Sequence, residues 1–436
     1  QEKETFMKPE GRRGLVNFGR LLDLARGPSA QTLATSIASQ ALTLISGVVV
    51  ARALGVEGRG VLALLWLLPL TIVLLGGIGI PQATTFYVAR ELDNARAVVS
   101  ISIRISLLLA VILSLGYATG LLLLSDGQEF SASDALLSSA LIPMFLAQNL
   151  GVAALLGMKR YRAFNAGRIV PALLYALLVT TLFGLSIATL SSILIATVGA
   201  WAFGALVTWL LVFRKLPSTG EVAGAATSDV LSFGLRGVIG SVSPIDDVRI
   251  DQLMVGLLMD SRALGLYVAA IAFCNLPRFI AQSIGAVSFP RIASARSAAE
   301  AWQVAARSLR IGSALIAGTV GVLFFTVPVL LPFFFGEDFS DAVGIARVLL
   351  LAAFFLSVHR LLTELARGLG HPGYGSLTEV LNLTVFMVGF LILATPPSTT
   401  GIATAVLAGG LASATTLAII LRRSRSVELA DGSSRE

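Results

Sequence analysis

Long apolar runs recur from one end of this sequence to the other, and they limit the possible folds more than any other feature. A helix needs about 20 apolar residues to cross the hydrocarbon core of a membrane. Lipid offers backbone groups no hydrogen-bond partner, so such runs are expected to be helical. The sequence therefore predicts an all-α integral membrane protein with twelve transmembrane helices. They fall at 31–53, 60–88, 97–124, 134–157, 167–189, 192–213, 229–258, 263–289, 307–331, 343–366, 374–394 and 400–421.

The composition fits a membrane location, since 56% of the residues are hydrophobic and only 13% are charged, against about 25% charged in a soluble domain. The net charge of +7 would suggest nucleic acid in a soluble protein. Here the basic residues lie between apolar runs, where they orient helices against anionic headgroups. We therefore predict membrane lipids as partners and no nucleic acid.

Motifs of catalysis and cofactor binding are missing from the sequence. It holds two histidines and one cysteine, which are too few for a zinc site of the usual kinds. It has no Gly-x-x-x-x-Gly-Lys-Ser/Thr loop for nucleotide phosphates. We predict that the protein is not an enzyme and holds no metal or cofactor, apart from an unidentified coupling ion, H⁺ or Na⁺.

Lysine and arginine alternate strictly between the two sides of the predicted helices. With the N-terminus inside, 23 of the 32 basic residues fall in inner segments, and the outer segments hold only Arg52, Arg59 and Arg262. Inner loops of membrane proteins carry such an excess of positive charge. Both termini are therefore predicted to be cytoplasmic.

Related sequences in the two parts of the chain indicate an internal repeat. Gly60 and Gly265 occupy the same place after the first and seventh helices, and a proline follows each, Pro69 and Pro277. Parallel 6+6 repeats are common in transporters, although chance similarity between Leu/Ala/Gly-rich segments is an alternative. The predicted division is a basic N-terminal segment, a six-helix bundle, a linker, a second six-helix bundle and a tail, at 1–28, 29–215, 216–228, 229–421 and 422–436.

Several charges lie inside predicted helices, where one near the bilayer centre costs about 2.5–3.5 kcal/mol. Such residues persist when they face a polar cavity or one another. The arginines are Arg104, Arg236, Arg249, Arg278, Arg347 and Arg360, and the acidic residues are Asp246, Asp247, Asp251, Glu364 and Glu379.

The seventh helix is the richest in such charges. Pro244 lacks an amide hydrogen and should kink it. Asp246 and Arg249 are three residues apart, and Asp247 and Asp251 are four apart, so each pair would share a helical face. The carboxylates are predicted to take part in ion coupling, or alternatively in ion pairs that only fix packing.

Two further positions complete the candidate site. Arg278 follows Pro277, a second predicted kink, and has no acidic residue within a turn of its own helix. It is expected to face a carboxylate from the seventh helix or a phosphate, which a guanidinium group binds well. Arg360 and Glu364 are four residues apart and are predicted to pair, or to take part in ion coupling.

Three stretches resemble a known family: Val50-Ala-Arg-Ala-Leu-Gly-Val-Glu-Gly-Arg-Gly60, Arg249-Ile-Asp-Gln-Leu-Met-Val-Gly-Leu-Leu-Met259 and Ala263-Leu-Gly-Leu-Tyr-Val-Ala-Ala270. They are similar to the O-antigen and exopolysaccharide flippases of the multidrug/oligosaccharidyl-lipid/polysaccharide exporter superfamily. The resemblance implies two six-helix bundles around a central cavity. It also implies that undecaprenyl-pyrophosphate-linked oligosaccharide is flipped from the inner to the outer leaflet of a bacterial cytoplasmic membrane by alternating access.

On that reading the cavity binds a pyrophosphate and polar sugars, to which arginines are suited. A polysaccharide polymerase is an expected partner in surface polysaccharide and lipopolysaccharide assembly. The residues expected to bind the substrate are Arg249, Arg278, Arg236, Arg52 and Arg104.

Other transport classes fit less well. Flippases of peptidoglycan precursors carry arginines in the first helix, where this chain has Gln40 and Ser46. A cation-coupled multidrug antiporter of the same superfamily is the main alternative, favoured by the carboxylates of the seventh helix but not by the first, which has no acidic residue. A major-facilitator sugar transporter would have a Gly- and Arg-rich turn at 88–96, and a non-transporting scaffold would not need so many buried charges.

Overall fold

The computed structural model describes residues 28–123, 130–216, 227–241, 243–245, 247–394 and 396–433. These residues form α-helices and two short 3-10 turns, with no strand among them. The helices are α1 (Pro28–Gly76), α2 (Ile80–Arg90), α3 (Ala95–Leu123), α4 (Ala132–Ser139), α5 (Leu141–Gly157), α6 (Tyr161–Gly184), α7 (Leu190–Lys215), α8 (Thr227–Ser241), α9 (Ile250–Leu258), α10 (Ser261–Ile271), α11 (Asn275–Ala293), α12 (Ala298–Phe335), α13 (Ala342–Gly368), α14 (Pro372–Leu393) and α15 (Thr399–Ser433).

The predicted all-helical membrane fold is confirmed. In the described part of the chain, nine helices are long and apolar enough to cross a membrane, and the count is ten when α10 and α11 form one span bent by 42°. Exposed leucine, valine, isoleucine and phenylalanine side chains cover much of the outer surface. Lipid is the environment in which such a surface is stable.

The first predicted outer loop is a break within α1 instead of a loop. Gly55 has a φ of 68°, which interrupts the helix, and the helical path resumes at once. Left-handed φ values are accessible to glycine at little cost. As a result Arg52 and Arg59, which the charge count placed outside, lie on helical turns on either side of Gly55.

The second predicted helix is also broken. It ends at Gly76, and α2 begins at Ile80 after Ile78 and Gly79, which have φ values of 52° and 64°. A Cβ on Gly79 would overlap the backbone carbonyl of Gly234 in α8, and a Cβ on Gly234 would overlap the carbonyl of Ile78. Glycine at both positions lets two backbones approach more closely than side chains permit.

Helix packing divides the buried core into two parts. In the first part of the chain α1 packs on α6, α6 on α7, and α5 on both α2 and α7. In the second part α13, α14 and α15 pack together, and α11 and α12 pack on α13. Two large clusters of buried apolar residues correspond to these groups, one centred on Leu65 and Phe145 and the other on Tyr267 and Phe386.

The two groups touch where α1 crosses α10. A Cβ on Gly60 would overlap the carbonyl of Ser261, and a Cβ on Gly265 would overlap the carbonyl of Val56. The two glycines that the repeat aligned therefore lie in one backbone-to-backbone contact between the halves. Near this crossing Arg262 forms an ion pair of 3.0 Å with Asp341, which lies between α12 and α13.

Two helices extend beyond their predicted ends. α12 begins at Ala298 after Ser297, whose hydroxyl accepts a hydrogen bond from the Glu300 amide and so caps the helix. α15 continues to Ser433 through the predicted tail 422–436. That tail contains arginine, leucine, glutamate and alanine, which are good helix formers, so the helix can extend past the apolar run.

Candidate substrate cavity

A non-helical turn lies between α8 and α9 and is followed by Arg249 and Asp251, which line a cavity. Pro244 has no amide hydrogen to donate. Instead, Asp247 N donates to Ser243 O and Ser243 N donates to Asp247 Oδ2, both at 2.9 Å. Arg249 has a φ of 55°, a left-handed conformation uncommon for non-glycine residues, and α9 follows it.

This turn overturns the face-sharing argument for the seventh helix. Asp247 and Asp251 could share a face only on one continuous helix, but α9 begins only at Ile250. Asp247 instead faces Arg278 on α11, with 3.8 Å between Oδ1 and the guanidinium nitrogen. Of the two partners expected for Arg278, the structure supplies the carboxylate. Asp246 lies outside the described residues.

Pro277 lies in the first turn of α11, just after the bend between α10 and α11. A proline there removes an amide that has no helical partner in any case. The bend falls at residues 272–274, which precede the proline. Arg278, which follows the bend, lies close to Asp247 in the turn between α8 and α9.

A small cavity in the second half, the C-cavity, has a volume of about 80 Å³ and is lined by Arg249, Asp251, Asn275 and Arg278 among others. Asp251 is only 4% exposed. Its Oδ2 accepts a hydrogen bond of 3.0 Å from Tyr267 Oη. Its Oδ1 is buried and has no hydrogen-bond partner among the described residues. A carboxyl group buried in this position is stable when it is protonated or when a cation pairs with it.

A larger cavity in the first half, the N-cavity, has a volume of about 190 Å³. Its wall combines aromatic rings and hydroxyl groups with the guanidinium groups of Arg59 and Arg249. The polar and aromatic residues from the first half are Thr43, Ser46, Arg59, Trp66, Tyr175, Thr197 and Trp201. Phe145 packs edge-on against both Trp66 and Trp201, with ring centroids 6.2 and 4.6 Å apart, so the two indoles are fixed. Aromatic walls with a few polar groups are typical of small-molecule binding sites.

Arg59 lines the N-cavity together with Arg249, although it was not among the residues predicted to bind substrate. Its Nε is buried without a hydrogen-bond partner, and no carboxylate pairs with it in the described part of the chain. A usable signal exists, because Arg59 precedes Ala63 by four residues and Trp66 by seven, a spacing that shares one helical face. The predicted second helix begins at residue 60, so the prediction placed Arg59 in the preceding loop.

Arg249 connects the two cavities, since it lines both of them, as does Gln252. Its guanidinium carbon lies 5.5 Å from the centroid of the Trp66 ring, a cation–π contact between the second half and the first. Arg59 and Arg249 thus belong to different halves and share one cavity wall.

A polar network links the broken segment to α13 and α14. His359 is buried, and its Nε2 lies 2.8 Å from Thr378 Oγ1. Its Nδ1 lies 3.7 Å from Glu379 Oε2, and the Ser243 hydroxyl donates to the other oxygen of Glu379. Since Ser243 N also binds Asp247, this network holds the turn that carries Arg249.

Glu364 does not pair with Arg360, which corrects the predicted pair. Glu364 instead lies 3.3 Å from Arg367, three residues further along α13. The Nε of Arg360 is buried and has no hydrogen-bond partner among the described residues. Spacings of three and four residues both bring side chains together on a helix. Here Glu364 pairs with Arg367, the more exposed of the two arginines.

The remaining predicted substrate residues lie elsewhere. Arg52 donates to the carbonyls of Phe333 and Phe334 at the end of α12, where free carbonyls attract a cation. Arg104 is exposed on the face of α3 that also presents Leu107 and Leu108, an apolar face that suits lipid. Arg236 lies in α8, and its side chain is outside the described part of the structure.

Across the described residues, no group of three histidine, cysteine, aspartate or glutamate side chains lies close enough to hold a metal ion. The groups that line the two cavities are cations, aromatic rings, hydroxyls and a buried carboxylate.

Comparison with known proteins gives a family and a fold. A family model described as polysaccharide biosynthesis protein matches residues 26–296, more than half of the chain. No curated protein matches the chain significantly.

Several solved structures share the fold over nearly their whole length. An inward-facing multidrug resistance MATE family transporter of the MOP superfamily is 15% identical, with 92% of this chain and 96% of that chain covered and a TM-score of 0.68. A MOP superfamily transporter from Pyrococcus furiosus, described as having a binding pocket of reverse polarity, is 14% identical, with coverages of 91% and 94% and a TM-score of 0.64. An outward-facing MATE transporter is 16% identical, with coverages of 92% and 95% and a TM-score of 0.62.

Proposed function

The chain belongs to the polysaccharide biosynthesis protein family and has the fold of MOP superfamily transporters, and on that premise we propose that it flips a lipid-linked oligosaccharide. The substrate is an undecaprenyl-pyrophosphate-linked glycan, which passes from the inner to the outer leaflet of a bacterial cytoplasmic membrane. The family membership agrees with the resemblance that the sequence motifs gave.

One observation carries this proposal: Arg59 and Arg249 line one cavity from opposite halves of the chain. A guanidinium group binds phosphate oxygens through paired hydrogen bonds. Two such groups in one cavity suit a pyrophosphate, and the indoles of Trp66 and Trp201 suit the first sugars. The isoprenoid tail stays in the bilayer while the charged headgroup crosses.

We propose that Arg278, which lines the C-cavity, binds substrate less directly than Arg59 and Arg249, because Asp247 already lies beside it. Transfer of Arg278 from this carboxylate to a substrate phosphate would free Asp247 and loosen the turn at Pro244. Arg52 and Arg104 line neither cavity, so Arg59 and Arg249 take precedence over them as substrate-binding residues.

The coupling ion is assigned to Asp251. Its Oδ1 is buried and has no hydrogen-bond partner among the described residues, and Asp251 lines the C-cavity together with Asn275 and Gln252. A proton or Na⁺ at this carboxylate would neutralise it, and its release would alter the charge beside Arg249.

Twelve membrane passes with both termini in the cytoplasm are part of the proposal. Nine helices and the α10/α11 pair account for ten spans. The break at Gly55 divides α1 into two passes, and α8 with α9 makes one more, which supports twelve. Alternating access would then rock one bundle against the other, and a polysaccharide polymerase would take the product outside.

A cation-coupled multidrug antiporter is the second candidate, favoured by the Asp251 carboxylate and by the fold shared with multidrug transporters. The N-cavity argues against it, since Arg59 has no carboxylate partner among the described residues and would repel an organic cation. The two functions predict opposite charge preferences for the transported headgroup.

The test is flipping in proteoliposomes that contain a fluorescent polyprenyl-pyrophosphate oligosaccharide. Arg59→Gln and Arg249→Gln should each slow flipping about tenfold or more, since each removes a charge-assisted contact. Arg104→Gln is the matched control because it removes the same charge from a face outside the cavity. Export of a lipophilic cationic dye, with no flipping of the glycan lipid, would favour the antiporter instead.

A further inference from the structure

We propose a second binding site, for a lipid headgroup that carries two phosphate groups, in a basic pocket at the cytoplasmic end of the first half. The pocket has a volume of about 490 Å³ and lies among α1, α6 and α7. It is separate from the N-cavity, with which it shares no lining residue. Its wall consists of Gln31, Lys159, Arg160, Tyr161, Arg162, Ala163 and Lys215.

Two separate chain segments bring the charges together. The tight turn between α5 and α6 holds Lys159 at a φ of 56°, and the Arg160 amide donates to Leu155 O at 2.9 Å. Lys215 is the last residue of α7, which packs along α6. Four cationic side chains therefore face one concavity. Lys159 and Arg160 come from the turn, Arg162 from α6 and Lys215 from α7.

These cations are not neutralised within the described part of the protein. No ion pair joins Lys159, Arg160, Arg162 or Lys215 to a described carboxylate. Elsewhere the chain does pair surface charges, as Arg367 does with Glu364. Like charges gathered in a concave, partly enclosed site concentrate positive potential, so the pocket favours an anion of more than one charge.

The surroundings identify the anion as a lipid headgroup. Tyr161 is 37% exposed at the rim, a position typical of the aromatic belt at a membrane surface. Phe213, two residues before Lys215, is 60% exposed, and Leu156, three before Lys159, is 36% exposed. Acyl chains can lie on these apolar side chains while phosphates occupy the pocket. Basic pockets between helices on the cytoplasmic side bind such headgroups.

Two lipids offer this chemistry: a resident diphosphatidyl phospholipid such as cardiolipin, and a polyprenyl pyrophosphate in the inner leaflet. Both place two phosphates at the level of the pocket. The site does not require that the protein flips a lipid, because resident phospholipid could fill it permanently.

The experiment measures lipid retention by the purified full-length protein in detergent, using native mass spectrometry. The probes are cardiolipin, phosphatidylglycerol with its single phosphate, a polyprenyl pyrophosphate and inorganic pyrophosphate. The pocket variants are Arg160→Gln with Arg162→Gln, and Lys159→Gln with Lys215→Gln. The matched control is Arg307→Gln with Arg310→Gln, an exposed pair on the cytoplasmic side outside the pocket.

Each pocket variant should bind two-phosphate lipids about tenfold more weakly than wild type, while the control stays within about twofold. Displacement of cardiolipin by polyprenyl pyrophosphate would assign the site to both lipids, and retention of cardiolipin would assign it to the resident phospholipid. Equal losses in the control would overturn the proposal, as would equal binding of phosphatidylglycerol or of inorganic pyrophosphate. A normal elution volume establishes that a variant is folded.

Discussion

The guanidinium group of Arg249 lies over the indole ring of Trp66, 5.5 Å from the ring centroid. Arg249 follows the turn between α8 and α9, and Trp66 belongs to α1, so the contact joins the two halves of the chain. It holds a cation at the boundary of both cavities. An arginine placed in this way can turn from the ring to a phosphate without leaving the cavity.

Replacement of Trp66 should weaken this contact in proportion to what remains of the ring. A desolvated cation–π contact is worth up to about 2 kcal/mol. We expect thermal stability and flipping rate to be highest in the wild type, lower in Trp66→Phe and lowest in Trp66→Leu. Differential scanning fluorimetry and the proteoliposome assay measure the two quantities. Equal behaviour of the phenylalanine and leucine variants would show that the ring face contributes nothing.

Arg59 should show opposite effects on stability and on transport. Because it is an unpaired cation within the described bundle, its replacement by methionine should stabilise the empty protein by about 2 kcal/mol. Flipping should fall at the same time, because the phosphate loses a partner. A stability measurement by thermal unfolding in detergent decides the first part. Destabilisation by Arg59→Met would mean that Arg59 makes contacts that stabilise the folded protein.

Alanine at Gly60 should disrupt the crossing of α1 and α10. Its methyl group would overlap the Ser261 carbonyl, so we expect a loss of about 2 kcal/mol or more in stability, together with a loss of flipping. Gly116 in α3 is the matched control, since a Cβ there meets nothing within 4 Å. Gly116→Ala should be neutral or stabilising by up to about 1 kcal/mol.

Asp251→Asn should remove the dependence of transport on the coupling ion. The amide keeps the shape of the carboxylate and can still accept the hydrogen bond from Tyr267, but it cannot take up a proton or a cation. If the wild type responds to a pH or Na⁺ gradient, as the proposed ion coupling requires, we expect the flipping rate of this variant to be unaffected by the same gradient. Tyr267→Phe retains the carboxylate and should retain the gradient response. Persistence of the full response in Asp251→Asn would place the ion elsewhere.

Glu379→Gln should impair flipping although Glu379 lines neither cavity. Glu379 binds the Ser243 hydroxyl and lies 3.7 Å from His359, so it holds the turn that positions Arg249. A reduction of about threefold or more is expected, since one charge-assisted hydrogen bond is weakened. Asp341→Asn, which breaks an exposed ion pair with Arg262, is the control and should cost under about 1 kcal/mol. Equal rates for both variants would separate the network from transport.

The helices were predictable from the sequence because membrane insertion demands long apolar runs, and these runs are plain to see. Their interruptions were partly predictable. Pro244 marked the break before α9, since a missing amide hydrogen is a local property. The breaks at Gly55 and Ile78 were harder to predict. The turn at Ile78 and Gly79 accompanies a close backbone contact with Gly234, whereas a Cβ on Gly55 would meet nothing within 4 Å.

The site was harder to predict, because every face of a membrane helix is apolar and the pattern does not distinguish lipid from protein interior. Arg104 and Arg59 illustrate the difficulty. Both are arginines in apolar helices, yet one is exposed beside leucines and the other lies in a cavity. The pairing of Glu364 with Arg367, in place of Arg360, was likewise a choice between two allowed spacings. Only the packing of other helices decides such cases.

The backbone contacts at Gly60 and at Gly79 have a mechanical consequence. Both join the first half to the second, and the helix from Gly60 to Gly76 separates them by about 24 Å. A rotation of about 10° around the first contact would therefore move the second by about 4 Å. Since the close approach at each contact is to a backbone carbonyl, the halves can return to the same register after each cycle.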